Sequence, residues 1–254
     1  MAADQLPSRI AHFRIESLIG SGGMGHVYKA FDSKLLRPVA VKTVRSDAQT
    51  PGYLERFQRE AQACARLHHP NIVTVFETGE ADGLVYIAME YLPGQSLAAL
   101  LRDGTLTFET KIRILTQILE ALHHAHSQDI VHRDIKPSNV HVLPDGSVKL
   151  IDFGIVCFEQ ETFAALTASG AILGTLDYAS PEQLRGGRVD SRTDVYSTGV
   201  LAYEMISGRR PFGRADGAAA TITKALFEQP APMNTLWTDR FPAIEQIVSQ
   251  AMAK

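Results

Sequence analysis

The chain has 254 residues, 45% hydrophobic and 21% charged, with 19 Gly, 12 Pro and 2 Cys. That length and apolar fraction suit one large domain or two small lobes around a sizeable core, and exclude disorder, collagen-like repeats and a disulfide scaffold. A formal net charge of −3 gives no general affinity for polyanions, so no nucleic-acid partner is expected. The longest uninterrupted apolar run, residues 84–89, is far too short for a membrane span. The opening MAADQLPSRI has neither the basic start nor the apolar stretch of a signal peptide. Cys64 and Cys157 stand apart, as in a reducing compartment. A cytoplasmic protein is therefore expected, with a membrane-anchored longer parent left open.

In chain order, residues 1–10 read as a tail. Three strands follow at 13–20, 26–32 and 38–44, the first running into a glycine cluster. From 53 to 67 the apolar spacing becomes helical, through Leu54, Phe57, Ala61, Cys64 and Ala65. Segments 71–79 and 84–91 read as a strand pair, and LPGQS (92–96) as the linker to a second lobe. Beyond it, 108–127 has the apolar repeat of a long central helix. Segments 130–143 and 147–154 contain short strands joined by polar loops. Residues 162–187, rich in Thr, Ser, Gly and Pro, form a long loop of the kind that usually carries function. Helices are expected at 194–207, 216–229 and 241–253.

Several motifs carry chemistry. Gly20-Ser21-Gly22-Gly23-Met24-Gly25-His26-Val27 has the G-x-G-x-x-G-x-V pattern, in which glycines let main-chain N–H groups approach phosphate oxygens. A dinucleotide loop needs a helix directly afterwards. A strand follows here, which favours a nucleoside triphosphate under a hairpin over a dinucleotide; a plain hairpin turn is the alternative. Val39-Ala40-Val41-Lys42 places a lysine in an apolar strand, so that it meets an anion or points to solvent. Glu60, on the first predicted helix, is a reasonable partner for it. His132-Arg133-Asp134-Ile135-Lys136-Pro137-Ser138-Asn139 puts an acid, a base and an amide on one loop, suited to a hydroxyl nucleophile, a transferring phosphate and a metal. Asp152-Phe153-Gly154 and Ser180-Pro181-Glu182 follow in order. His123, His124 and His126, with His68 and His69, lack convergent zinc spacing and read as packing or surface.

This ordered set resembles the protein kinase superfamily from about Phe13 onwards. It is most similar to the bacterial eukaryotic-like Ser/Thr kinases, through GSGGMGHVYKA, LHHPNIV, HRDIKPSN, GTLDYASPEQ and GRRPF. The resemblance implies an α+β fold of two lobes. One is a five-stranded antiparallel sheet with one main helix (N-lobe 11–91); the other is mainly helical (C-lobe 92–254). It implies transfer of the γ-phosphoryl of ATP, with Mg²⁺ (or Mn²⁺), to Ser or Thr hydroxyls of substrate proteins in signal transduction.

By position, Lys42 would hold the α/β-phosphates and pair with Glu60, while Asn139 and Asp152 would bind the metal. Asp134 would orient the substrate hydroxyl and take its proton. Lys136 would steady the γ-phosphate, and Thr175 would contact Asp134. Gly20, Ser21, Gly22, Gly23 and Gly25 would cover the nucleotide, and Val27, Ala40 and Met89 would line the purine pocket. Glu90 and Leu92 would offer main-chain groups to adenine, and Asp194 would anchor the catalytic loop.

Arg133 before Asp134 marks kinases switched on by loop phosphorylation, for which Thr167, Ser169 and then Thr162 are the candidates, through a homodimer in trans. Three positions depart from the family pattern. Ser180 replaces the usual alanine, a change expected to matter little. His141 stands where relatives place an apolar residue beneath adenine. Relatives continue past Lys254 with an arginine that pairs with the glutamate matching Glu182, so the domain is expected to be cut short. Two rivals remain: a pseudokinase scaffold, against which Lys42, Asp134, Asn139 and Asp152 all speak, and a small-molecule phosphotransferase, disfavoured by the complete 174–182 stretch.

Overall fold

The computed structural model describes residues 6–22, 25–44, 61–62, 64–153, 176–213 and 217–254, which fall into two compact units, Met1–Pro93 and Gly94–Lys254. In the first unit, six strands form one antiparallel sheet. They are β1 (Arg9–Ile10), β2 (Phe13–Gly22), β3 (Gly25–Asp32), β4 (Arg37–Val44), β5 (Val75–Ala81) and β6 (Leu84–Glu90), in the order β1-β2-β3-β4-β6-β5. The sheet therefore has one strand more than the sequence pattern predicts. Residues 9 and 10, expected in a tail, pair with Arg14 and Phe13, and Ile10 is buried. Two residues are too few to show a period of two, which is why β1 is silent in the pattern.

Alternation along the strands divides the sheet into two faces. Val39 and Val41 are fully buried and pack with Ile10, Phe13, Tyr28, Ala30, Tyr86 and Ala88 as the core of this unit. The opposite face carries the residues between them. The predicted strand 71–79 begins only at Val75. Glu90 closes the stretch before it, its carboxylate accepting from the Thr74 N–H and its own N–H donating to the Thr74 carbonyl. The predicted helix 53–67 lies largely outside the described residues; Ala61, Gln62 and Cys64 are helical.

The second unit opens with β7 (Gln95–Ser96), which joins β8 (Val140–Val142) and β9 (Val148–Leu150) in a three-stranded sheet. Its helices are α1 (Leu97–Asp103), α2 (Phe108–His126), α3 (Pro181–Leu184), α4 (Ser191–Ser207), α5 (Ala218–Phe227), α6 (Leu236–Arg240) and α7 (Pro242–Ala251). Helix α2 follows the predicted 108–127 segment, capped by Thr107, with Ile114, Ile118, Ala121 and Ala125 on its buried side. Helix α4 starts three residues before the expected Asp194, because the Asp190 side chain caps it through the Arg192 N–H. It is buried nearly all round, so its apolar pattern has little periodicity. The short helices α1, α3 and α6 are absent from the sequence reading. Each begins at a Ser or Thr cap, a signal that is plain only once the helix is known.

Candidate active site

In the first unit, register assembles one set of the predicted residues. Val27 and Ile87 stand opposite Lys42 on either side of β4, and Lys29 and Met89 stand opposite Ala40. Directly opposed residues of antiparallel strands share a face, as do residues two apart along a strand. Val27, Ala40, Lys42, Ile87 and Met89 therefore lie together on the face turned away from the core cluster. Ala40, Ile87 and Met89 make it apolar and buried around the Lys42 ammonium, while Lys29, opposite Ala40, pairs with Glu16 at 3.3 Å. Gly20 pairs with Val27 and Gly22 with Gly25, so the glycine segment is a hairpin whose tip, Gly23 and Met24, lies outside the described residues. Strand β2 shifts register between Leu18 and Gly20, a bulge that bends it just before the glycines. The Glu90 N–H is committed to Thr74, so a main-chain contact from Glu90 to a ligand falls to its carbonyl. Leu92 follows β6 as half-buried extended chain.

In the second unit, the loop between α2 and β8 gathers the acid–base set. Asn139 is buried and ends a 3₁₀ turn, Pro137–Asn139. Its Nδ2 donates to both the main-chain carbonyl and the Oδ2 of Asp134, each at 2.9 Å. The Lys136 ammonium lies 2.8 Å from the same Oδ2. One carboxylate oxygen thus receives an amide and an ammonium, which fixes its rotamer. Ile151 donates its N–H to the Asn139 carbonyl at 3.0 Å, tying the start of the Asp152-Phe153 segment to this loop.

The loop itself is held from below by Asp194, fully buried on α4. Its carboxylate accepts the N–H of His132 and of Arg133, each at 2.8 Å, and lies 2.7 Å from His126 Nε2. These bonds hold a strained backbone at Arg133, whose φ of +66° lies in a region that L side chains rarely adopt; Asp152, at φ +57°, lies in the same region. His132 is fully buried, its Nε2 3.1 Å from the Ile151 carbonyl and its ring 4.4 Å from that of Phe153. Burial holds its pKa below the ordinary histidine value, against the pull of Asp194 and Asp134, so the ring is a neutral spacer.

Gln183 is a positioning residue that sequence reasoning missed. Its Nε2 donates to the Arg133 carbonyl at 2.8 Å, and its Oε1 accepts the Ser180 N–H at 3.0 Å. The Ser-x-x-Gln spacing of a capping box was the available signal. Ser180, expected to matter little, is fully buried; it caps α3 through its hydroxyl and reaches Thr193 Oγ1 at 3.3 Å. Thr193 in turn donates to Glu182 at 2.6 Å.

His141 lies on β8 opposite Ser96 and Lys149 and is half-buried. Glu60, Gly23, Thr175 and the loop hydroxyls Thr162, Thr167 and Ser169 lie outside the described residues, as does Cys157. The histidine cluster is used for packing: His126 meets Asp194, His124 contacts Gln128 at 3.0 Å, and His69 accepts the Asn71 N–H. Among the described residues no three His, Cys, Asp or Glu side chains are grouped to hold a metal. Asn139 and Asp152 offer a smaller set of hard amide and carboxylate oxygens, the donor chemistry Mg²⁺ takes when other oxygens complete its shell.

Comparison with known proteins agrees with this geometry. The protein kinase domain family profile matches residues 13–253. A probable serine/threonine-protein kinase of Streptomyces coelicolor is 41% identical over 98% of this chain and 38% of its own length. The serine/threonine-protein kinase pkn3 of Myxococcus xanthus is 41% identical over 95% of this chain and 46% of its own. The chain thus spans less than half the length of these curated relatives. The crystal structure of the Mycobacterium tuberculosis PknI kinase domain superposes with a TM-score of 0.76 at 27% identity, covering 98% of this chain and 91% of that one. Among the described residues, no helix is long and apolar enough to cross a membrane.

Proposed function

Because the chain belongs to the protein kinase family, and its relatives are bacterial serine/threonine-protein kinases, we propose that it transfers the γ-phosphoryl of ATP to Ser or Thr hydroxyls of proteins. One observation carries the reading: Asn139 and Lys136 converge on one oxygen of Asp134. That arrangement holds the carboxylate in one orientation beside a cation, as a proton acceptor requires.

In the reaction, Asp134 orients the substrate hydroxyl and accepts its proton as the oxygen bonds to the γ-phosphorus and the bond to ADP breaks. Lys136, already beside Asp134, faces the charge that develops on the transferred group. Lys42, on the apolar sheet face with Val27, Ala40 and Met89, holds the non-transferred phosphates with Glu60 as its partner. The glycine hairpin from Gly20 to Gly25 covers them. Glu90 and Leu92 meet adenine through the main chain, and His141 is the remaining candidate for a contact with the purine. Asn139 and Asp152 would hold Mg²⁺, which when bound neutralises phosphate charge.

The division of labour follows the lobes of the fold, N-lobe 11–91 and C-lobe 92–254. Thr175 supports Asp134, and the loop hydroxyls Thr167, Ser169 and Thr162 receive phosphate from a second copy of the chain, which orders the loop through Arg133. A role in cytoplasmic signal transduction follows from that switch. The test is incubation with labelled ATP: label should enter the wild-type chain or a generic protein substrate, and Asp134→Asn should lose it. Equal labelling of both would remove Asp134 from its role.

A further inference from the structure

The second unit contains a cavity of about 420 Å³ whose walls include Arg102 on α1, Lys111 on α2, Pro137 of the catalytic loop, Tyr178 just before α3, Glu204 in the last turn of α4 and Arg210 just after it. That volume falls in the range of pockets that take a small ligand or one or two side chains. Its position matters as much as its size. Pro137 directly follows Lys136, whose ammonium is on Asp134. Tyr178 belongs to the stretch that reaches Gln183, which is bonded to the Arg133 carbonyl. The cavity therefore shares its walls with the loop that carries the proton acceptor.

Its charge is unbalanced. Glu204 is the sole carboxylate on the wall, and it is already spent: the Tyr178 hydroxyl donates to it and the Arg210 guanidinium lies 3.9 Å away. Arg210 is also paired with Asp177. Among the described residues, the side chains of Lys111 and Arg102 have no hydrogen-bond or ion-pair partner. Lys111 is the more telling of the two. It is partly buried, and desolvation lowers its pKa with no carboxylate near enough to offset the cost. It also stands in the first turns of α2, where the helix dipole disfavours a cation. A desolvated ammonium at the positive end of a helix, in a cavity whose one acid is engaged elsewhere, is a charge in want of an anion.

Resting on the kinase reading above, we propose that this cavity is a substrate-selecting subsite that takes an anionic side chain of the protein substrate, with Lys111 and Arg102 as its cations. An aspartate or glutamate and an already phosphorylated residue share the required chemistry. The pairing of Glu204 with Tyr178 and Arg210 makes the same pocket a poor host for arginine or lysine, so selectivity comes from rejection as well as attraction.

Binding tests this without relying on catalysis. A fluorescent peptide library carries Ala in place of the acceptor hydroxyl. Each flanking position is fixed in turn as Glu, phosphoserine, Gln or Lys, and anisotropy is measured with the wild-type chain, Lys111→Glu and Lys111→Arg. At one or more positions Glu or phosphoserine should bind roughly fivefold tighter than Gln, as expected of a single half-exposed charge pair. Lys111→Glu should abolish or invert that preference, and Lys111→Arg should keep it. Preference for phosphoserine alone identifies a primed substrate, and preference for both identifies charge itself. Equal binding of all four in the wild type, or an unchanged preference in Lys111→Glu, overturns the proposal. Failure of the kinase reading would appear separately, as absence of labelled phosphate on any hydroxyl peptide while the binding preference stands.

Discussion

Replacing Asp194 with alanine should destabilise the second unit more than any surface change, and the structure allows the size to be worked out. The carboxylate is fully buried and accepts two main-chain N–H groups, from His132 and Arg133, besides its contact with His126. Each buried donor left without an acceptor costs about 1–3 kcal/mol, so the two amides alone give about 2–6 kcal/mol. With a urea m-value of about 1–3 kcal/mol per molar, the middle of both ranges lowers the unfolding midpoint by about 2 M. The assay is built into the chain: Trp237 is the single tryptophan, and it stacks on Phe108 at the start of α2, with ring centroids 4.2 Å apart. Its fluorescence therefore reports the second unit. Asp194→Asn should fall between, because its one amide oxygen serves one N–H while its NH₂ faces the other. Arg192→Ala, which breaks an exposed pair with Asp190, should leave the midpoint in place. If Asp194→Ala moved the midpoint no further than Arg192→Ala, the anchor reasoning would be wrong.

Lys42→Met and Asp152→Asn should each abolish incorporation of labelled phosphate while circular dichroism stays that of the wild type; activity within tenfold of wild type in either would refute its assigned role. Mass spectrometry of active enzyme should find phosphate on Thr167 or Ser169, and an unmodified active loop would count against the switch. His141→Leu should leave ATP-analogue binding unharmed or tighter in calorimetric titration at pH 7.5, whereas tenfold weaker binding would reveal a favourable imidazole contact. In the first unit, burial pushes the Asp32 carboxyl up, but the N–H groups of Leu35 and Lys34, with His12 and Arg37, hold it below the usual aspartate value. Its stabilisation is therefore fully present above the ordinary aspartate pKa and lost as pH falls through the depressed one. Thermal melts between pH 6 and 3 should show a smaller acid-induced loss in Asp32→Asn than in the wild type.

Legibility in the sequence divided along physical lines. Long helices and alternating strands announce themselves because burial repeats with the period of the backbone, and α2 begins where its periodicity begins. Strand β1 and helices α1, α3 and α6 are too short to repeat anything. They are set by a pairing partner a few residues away, or by a single Ser or Thr cap of a kind common throughout the chain. The site followed the same rule. Asp134, Lys136 and Asn139 lie within six residues on one loop, so their convergence could be anticipated from order alone. Gln183 acts across fifty positions of sequence, through a side chain that would read as an ordinary helix residue. The misjudged Ser180 shows the limit of comparing patterns. Alanine and serine differ by one hydroxyl, but in a fully buried position that hydroxyl must be bonded, and here it caps α3 and meets Thr193.

The strained residues make the strongest case for the site. Nothing in the residue types predicts that Arg133 should sit at φ +66° or Asp152 at φ +57°, since neither is glycine. Each such residue costs on the order of 1–3 kcal/mol and persists only where its surroundings over-determine it. Around Arg133 three main-chain bonds do this: its N–H is held by Asp194, its carbonyl by Gln183, and the preceding N–H again by Asp194. Helix α4 and helix α3 thus grip one residue from both sides, through the two peptide groups that flank it. The residue that follows is Asp134, whose carboxylate must be aimed to within a fraction of an ångström for proton transfer. The strain lies one residue from the chemistry, and the buried carboxylate that offsets it comes from α4, a helix buried along most of its length. Loosening either grip should therefore show in phosphoryl transfer before it shows in folding: Gln183→Ala, which removes one of these three bonds, should lower the rate with ATP affinity unchanged. A loss of affinity with the rate preserved would mean that Gln183 serves the nucleotide and not the aim of Asp134.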